Sequence, residues 1–226
     1  MVSYNVRSLR DDAAAVAAVL RALAPDLVCA QEAPRFLFSR AKCTALAEAA
    51  GLTVLTGGRS ANGNLLLGGS RVRLASSTRF RLPRSGRRHR RSVAVARVEV
   101  EGVPLTVAGT HLSLDPLERT KQARHLVVRL AGVHPLVLGA DVNDVPGSET
   151  WKVLTEHWWD GHATAPTGSA LSFPARDPNR RLDAVFVSGG ELVRGSGVPP
   201  DLVDPEAATD HLPVVADLAL LRIAET

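Results

Sequence analysis

The stretch Leu136-Val137-Leu138-Gly139-Ala140 runs directly into Asp141-Val142-Asn143-Asp144, so an apolar strand ends on an acid and an amide. The carboxyl end of such a strand is where open α/β sheets gather their chemistry, and an acid beside an amide suits a cation or a phosphate. The competing explanation is a loop, since Asp-x-Asn followed by Asp-Val-Pro-Gly is good turn chemistry. Other segments repeat the pattern. Asn5 follows Tyr4, residues 27–30 lead to Gln31-Glu32, and residues 107–110 deliver His111. Asp183, after Arg181-Leu182, opens the run 184–187, and Thr209-Asp210-His211 opens the run 212–215. One such border is commonplace. Six of them, carrying Asn, Glu, His and Asp, describe one site assembled from strand ends.

The elements that must carry these residues alternate. A first strand is expected over residues 2–6, then a helix capped by Asp11-Asp12, with Val16, Val19, Leu20 and Leu23 repeating every three or four residues. Pro25 ends that helix. A second strand (26–31) places Glu32 at its mouth, and a helix over about 35–50 follows, with Phe36, Leu37, Leu46 and Ala47 as core residues. Short strands are expected at 52–55, 64–67 and 72–76. Residues 93–100 and 103–110, joined by Glu101-Gly102, read as a two-residue hairpin whose second strand aims His111. Asp115-Pro116-Leu117-Glu118 starts a helix running to Leu130, with Asp as cap, Pro at N1 and Glu at N3. Its Leu126, Val127 and Leu130 face the sheet, with Arg119, Gln122 and His125 at the surface. The strand 134–140 and a Ser148-capped helix holding Trp151 and Leu154 come next. Of the adjacent Trp158 and Trp159, the pattern favours one in the core and one over a surface groove; a base-stacking platform is the other reading. A strand over 212–220 closes the chain.

With 226 residues and 45% hydrophobic content, the chain can bury a full core and reads as one domain, 1–226. No apolar run approaches the roughly 18–20 residues needed to cross a bilayer. A cytoplasmic monomer is expected unless a leader has been removed. Cys29, in a strand, and Cys43, in a helix, are too few for a disulfide framework and read as reduced and structural. The net charge of +4 and pI near 9.7 point mildly to anionic partners. From Arg71 to Arg97 there are ten Arg and no acid. Arg gives bidentate contacts to phosphate, so the segment suits a polyanion. Equally, Arg84, Arg87, Arg88, Arg90 and Arg91 flank Ser85-Gly86 as a solvated hairpin tip.

Taken in order, Ser3-Tyr4-Asn5, Gln31-Glu32, Thr110-His111-Leu112, Asp141-x-Asn143, Arg181-Leu182-Asp183 and Thr209-Asp210-His211-x-Pro213 resemble the motifs of the endonuclease/exonuclease/phosphatase superfamily over nearly the whole chain. That resemblance implies an α/β fold of the α+β kind, a four-layer sandwich of two face-to-face mixed β-sheets flanked by helices. It implies a Mg²⁺-dependent phosphoesterase, with Mn²⁺ as a substitute. Glu32 is then the first metal ligand, with Asn5 beside it and Asp210 joining through water. Asp183 orients His211, which activates water or grips a phosphoryl oxygen according to its charge. Asp141 orients or deprotonates the water, Asn143 donates to a phosphoryl oxygen, and His111 serves the leaving group or the phosphate. Asn64 is expected to help hold phosphate, although Asn62-Gly63 is also an ordinary turn. Phe173 and Arg181, flanking the loop before Asp183, are expected at the pocket. Two departures stand out: Ala140 occupies a place where relatives often carry Gly, and the strand before His111 supplies no acid to pair with it.

The leading substrate is a nucleic-acid phosphodiester, DNA or RNA, on the strength of the Arg-rich segment. The alternative is the phosphoester of a small metabolite or lipid headgroup, since nine aromatic residues offer little base-reading apparatus. A silent binding module is a third class, opposed by the intact Glu32, Asp141, Asp183 and His211.

Overall fold

The computed structural model describes residues 1–87 and 89–220. Arg88 of the expected basic tip and residues 221–226 of the expected domain lie outside the described residues. The first half comprises β1 (Val2–Asn5), α1 (Ala13–Leu23), β2 (Leu27–Gln31), α2 (Ser39–Ala49), β3 (Thr53–Gly58), β4 (Asn64–Gly68), β5 (Val72–Arg81), β6 (Ser92–Val100) and β7 (Val103–His111). There follow α3 (Pro116–Leu130), β8 (Leu136–Asp141), α4 (Glu149–Thr155), β9 (Trp159–Asp160), α5 (Gly161–Thr164), β10 (Asp183–Val187), β11 (Val193–Gly197), α6 (Pro205–Ala208) and β12 (Val214–Leu218). One six-stranded sheet has the order β11-β12-β1-β2-β4-β3 and the other β5-β6-β7-β8-β10-β9. Both are mixed: β1 and β2 pair in parallel, as do β7 and β8, while their other neighbours run antiparallel. The result is the expected four-layer sandwich.

Three apolar layers hold it together. Val2, Tyr4, Val28 and Ala30 pack beneath α1 and α2 with Val16, Leu20 and Leu46. Leu136, Leu138, Ala140, Ala184 and Phe186 pack beneath α3 and α4 with Leu126, Trp151 and Trp158. Between the sheets lie Leu27, Cys29, Leu66, Val107, Val137 and Val185. Side chains alternate across a strand. Residues an even number of positions from an inter-sheet residue on the same strand therefore face the same seam: His111 is four past Val107, Asp141 four past Val137 and Asp183 two before Val185, while Asn5 is four past Met1, which packs on this layer. The seam is narrow. A Cβ built on Gly139 would lie 2.5 Å from Cys29 Cβ, and one on Gly109 would lie 2.9 Å from Leu66 Cδ2. Cys29 and Cys43 are both buried and unbridged.

Several expected local features are present: the Asp12 cap, the Asp115 cap with Pro116 behind it, the Ser148 cap, and the Glu101-Gly102 turn, both of whose residues have positive φ (51° and 84°). Trp158 is buried and Trp159 is 58% exposed, the division expected of the pair. Other expectations are corrected. α2 starts at Ser39, not near residue 35, because Phe38 occupies the left-handed region (φ 57°) and breaks the helical path. Phe36 and Leu37 are consequently 77% and 75% exposed and lie outside the core. Arg119 and Gln122, expected at the surface, are buried. Their polar ends are satisfied by neighbouring loops: Arg119 binds Asp144 at 2.9 Å, and Gln122 accepts from Ser113 N and donates to Pro83 O, both at 2.9 Å. β5 continues five residues past Ser76, while the last strand starts at Val214, after Pro213, which has no N–H for a ladder. β11 had no apolar alternation to announce it.

Candidate active site

Residues far apart in sequence meet where the two sheets end. Asn5 Nδ2 donates to Asp141 Oδ2 across the seam at 2.8 Å, joining the end of β1 to the end of β8. Asp141 Oδ1 accepts from Asn143 N at 3.0 Å, and Asp141 Oδ2 lies 3.2 Å from His111 Nε2. Parallel pairing of β7 with β8 places His111 opposite Asp141, and antiparallel pairing of β8 with β10 places Asp183 opposite the same residue. His211 Nδ1 contacts Asp183 Oδ2 at 2.8 Å, and ligand atoms of Asp141, Asp183 and His211 lie within 4.8 Å of one another. Glu32 enters from the other sheet, its Oε1 3.7 Å from His111 Nδ1 and its side chain 40% exposed. His111 thus finds acids, in Glu32 and Asp141, that no local sequence window contains.

Backbone geometry aims these groups. Glu32 and Asn143 both hold positive φ (52° and 56°), a conformation costing a residue with a Cβ roughly 1–2 kcal/mol. At Glu32 the turn is held by Ser8 N donating to its carbonyl at 2.7 Å, and Ser8 itself sits in a left-handed run from Arg7 to Leu9. Thr209 Oγ1 donates to Asn5 O at 3.1 Å and anchors the loop bearing Asp210 and His211. Ser172 accepts from Leu182 N and Asp183 N and donates to Asp183 Oδ2 at 2.7 Å, presenting that carboxylate to His211.

The two imidazoles are driven apart. Burial alone would lower His211, but the charge and hydrogen bond of Asp183, with smaller help from Asp141 and Asp210, raise it to about 9. His111 is lowered to about 3, chiefly by burial and further by Arg91, His211 and Arg35, against the pull of Asp141. At neutral pH one ring is imidazolium and the other neutral. Asn143 Nδ2 donates to Leu112 O at 3.0 Å and faces His111 Nε2 at 2.7 Å, so the neutral ring that accepts there carries its proton on Nδ1.

The remaining expected residues divide. The Phe173 ring lies 4.7 Å from that of His211, at the pocket. Asn64 is buried and donates to Ala61 O and Ser92 O, stitching β4 to β6 across the seam. Arg181 is buried against Asp160 and lies over the Trp151 ring at 5.1 Å, within the packing under β10. Asp210 Oδ2 lies 3.4 Å from Arg7 Nε. Two cations not expected at the site are felt there. The Arg91 guanidinium is lowered by burial and held up by the charges of Asp141 and Glu32, and its Nε is buried without a partner. Arg7 is raised by Asp210 and Asp11, with a smaller contribution from Glu32. The Arg-rich run that contains Arg91 was the available signal; position within it was not legible.

The residues fit a divalent cation. Asp183 Oδ1 is buried without a hydrogen-bond partner, and the carboxylates of Glu32, Asp141 and Asp210 with the Asn5 amide make an oxygen-rich donor set suited to a hard ion. His211, clasped by Asp183 and charged, has no lone pair to offer at neutral pH.

The sequence matches the Endonuclease/Exonuclease/phosphatase family over residues 2–211. No curated protein matches it closely. The fold is similar to that of an endonuclease/exonuclease/phosphatase from Bacteroides vulgatus (TM-score 0.79, 20% identity, 97% of this chain and 98% of that one). It is similar to a mannosyl-6-phosphatase of Bacteroides thetaiotaomicron (TM-score 0.81, 18% identity, 96% and 98%) and to the human Nocturnin catalytic domain with bound sulfate (TM-score 0.69, 18% identity, 97% and 93%).

Proposed function

Since the chain belongs to the endonuclease/exonuclease/phosphatase family and is a hydrolase of phosphoester bonds, we propose that it cleaves a phosphodiester with water, using Mg²⁺ or, as a substitute, Mn²⁺. One observation carries this reading: Glu32 and Asn5 from one sheet converge with His111, Asp141 and Asp183 from the other, around a charged His211. Glu32, Asn5 and Asp210 would hold the cation, which when bound withdraws charge from the phosphoryl group. His211, kept protonated by Asp183, donates to a non-bridging oxygen. Of its two expected roles, a grip on phosphate suits an imidazolium and activation of water does not. Asp141, oriented by Asn5 and Asn143, takes the proton of the attacking water. His111 is a poor acid at neutral pH, and its neutral ring instead spaces Glu32 from Asp141. Asn143 supports that ring with the amide expected to reach phosphate. The expected single catalytic domain working as a monomer is part of the proposal.

Two substrates divide the remaining support. The nuclease reading draws on residues 82–87 and 89–91, which lie at the His111 end of β6 and β7, where Arg84, Arg87 and Arg90 are exposed and Arg91 reaches the site. Arg71 and Arg73 add little, because they pair with Asp26, Glu101 and Glu99 at the far end of β5. The lipid-headgroup reading draws on apolar side chains around the same mouth. The test is Mg²⁺-dependent hydrolysis of bis-p-nitrophenyl phosphate, plasmid, abasic duplex, single strand and inositol phosphates, beside Glu32→Ala and His211→Ala. Turnover lost in both variants supports the reading; absence of Mg²⁺-dependent turnover, or turnover equal in Glu32→Ala, refutes it.

A further inference from the structure

Three large apolar side chains in succession, Phe36, Leu37 and Phe38, stand 77%, 75% and 70% exposed on a turn four to six residues past Glu32. Phe38 holds φ 57° and caps α2 with no side-chain hydrogen bond, so the turn accepts backbone strain while sending its ring into solvent. Leu114 (72%) and Leu117 (77%) follow His111, and Val145 (41%) follows Asn143. Six of the twelve large apolar side chains exposed among the described residues therefore lie where the chain leaves the site-bearing ends of β2, β7 and β8. Basic residues lie among them: Arg35, whose charge is felt at His111, the exposed Arg40 and Lys42 after the turn, and the exposed Arg87 and Arg90 of the loop beside His111.

We propose that this end docks on an anionic phospholipid bilayer, with Phe36-Leu37-Phe38 entering the interface and the surrounding Arg and Lys on the headgroups. An exposed apolar turn flanked by Arg35, Arg40 and Lys42 matches the two contributions that hold peripheral proteins at such surfaces. Single-stranded nucleic acid fits less well, because a base gains from a flat aromatic face, and Leu37, Leu114, Leu117 and Val145 offer none. The proposal rests on the lipid-headgroup reading of the site for its substrate, a phosphoester presented at the membrane, but the docking itself needs no turnover.

The experiment is co-sedimentation of the full chain, in chelator, with vesicles of phosphatidylcholine alone or mixed equally with phosphatidylserine. Wild type should sediment with the mixed vesicles and far less with phosphatidylcholine. Phe36→Ser/Leu37→Ser/Phe38→Ser should lose at least about tenfold in partitioning, since each side chain gives up its apolar transfer. Arg87→Gln/Arg90→Gln should lose the preference for phosphatidylserine. Equal sedimentation of wild type and the triple variant, or wild type remaining in the supernatant, overturns the proposal. So does a triple variant that loses affinity for single-stranded oligonucleotide while sedimenting unchanged. Hydrolysis of bis-p-nitrophenyl phosphate, measured on the same proteins, separates the two claims: the triple variant should retain it, and its absence from wild type would refute the phosphodiesterase reading while leaving the vesicle result standing.

Discussion

Replacing Asp183 by Asn should bring the proton affinity of His211 below that of an ordinary histidine. In the native protein the ring sits at about 9 because the Asp183 charge and hydrogen bond outweigh burial. The substitution keeps the burial and removes the carboxylate, and Asp141 and Asp210 are weaker contributors. The gap between about 9 and the unfolded value near 6.5, at about 1.4 kcal/mol per tenfold change in proton affinity, corresponds to about 3 kcal/mol. The sign follows from a raised folded-state value. The stabilisation is complete below pH 6.5 and disappears as pH rises through 9. Urea unfolding of the metal-free protein and of Asp183→Asn, in chelator over pH 6 to 10, should show a stability gap that is widest at the acid end and narrows by about 3 kcal/mol toward the alkaline end. Histidine Cε1–H resonances would follow the ring directly. A gap independent of pH, or a His211 resonance titrating near 6.5 in both proteins, would refute the assignment of His211 as an Asp183-held imidazolium, and with it the phosphate-gripping role.

His111 should behave in the opposite sense: lowered to about 3, it stays neutral at pH 5 by NMR and costs stability progressively as pH falls below 6.5. Glu32→Gln keeps the shape of the side chain but removes its charge, and should lower Mg²⁺-dependent turnover by about 100-fold or more while leaving the melting temperature near wild type. Gly139→Ala forces a methyl to within 2.5 Å of Cys29 Cβ and should destabilise by about 1–3 kcal/mol in thermal melts, with Cys29→Gly recovering part of the loss. Arg119→Ala should cost about 3 kcal/mol in urea, because Asp144 and the carbonyls of Ser113 and Leu114 all lose their buried partner.

What could be read from the residues was whatever depends on neighbours in the chain. The Asp12, Asp115 and Ser148 caps, the Glu101-Gly102 hairpin and the apolar runs that became β2, β7, β8 and β10 all express short-range rules. The clustering of polar residues at strand ends was legible as repetition, and the sheets then brought most of those ends to one seam. Contacts made at long range were not legible. Glu32 and Asp141 reach His111 from other strands, so its own strand holds no acid partner. Arg119 and Gln122 look like surface residues by type, yet three loops fold over the start of α3 and bond to their side chains. Phe36 and Leu37 look like core residues by type, yet a left-handed Phe38 displaces them into solvent.

Cys29 lies against Gly109 and Gly139 at the narrowest part of the seam. It stands three residues before Glu32, and the two glycines stand two residues before His111 and Asp141. Its side chain is therefore a shim set just behind three side chains of the site at once, and at about 3.3 Å per strand residue the leverage is short. Thickening or thinning that shim would widen or pinch the jaw between the two plates without touching any group that meets substrate. Variation in catalytic rate could thus arise from a residue that neither binds nor reacts, through the gauge it sets between two rigid halves.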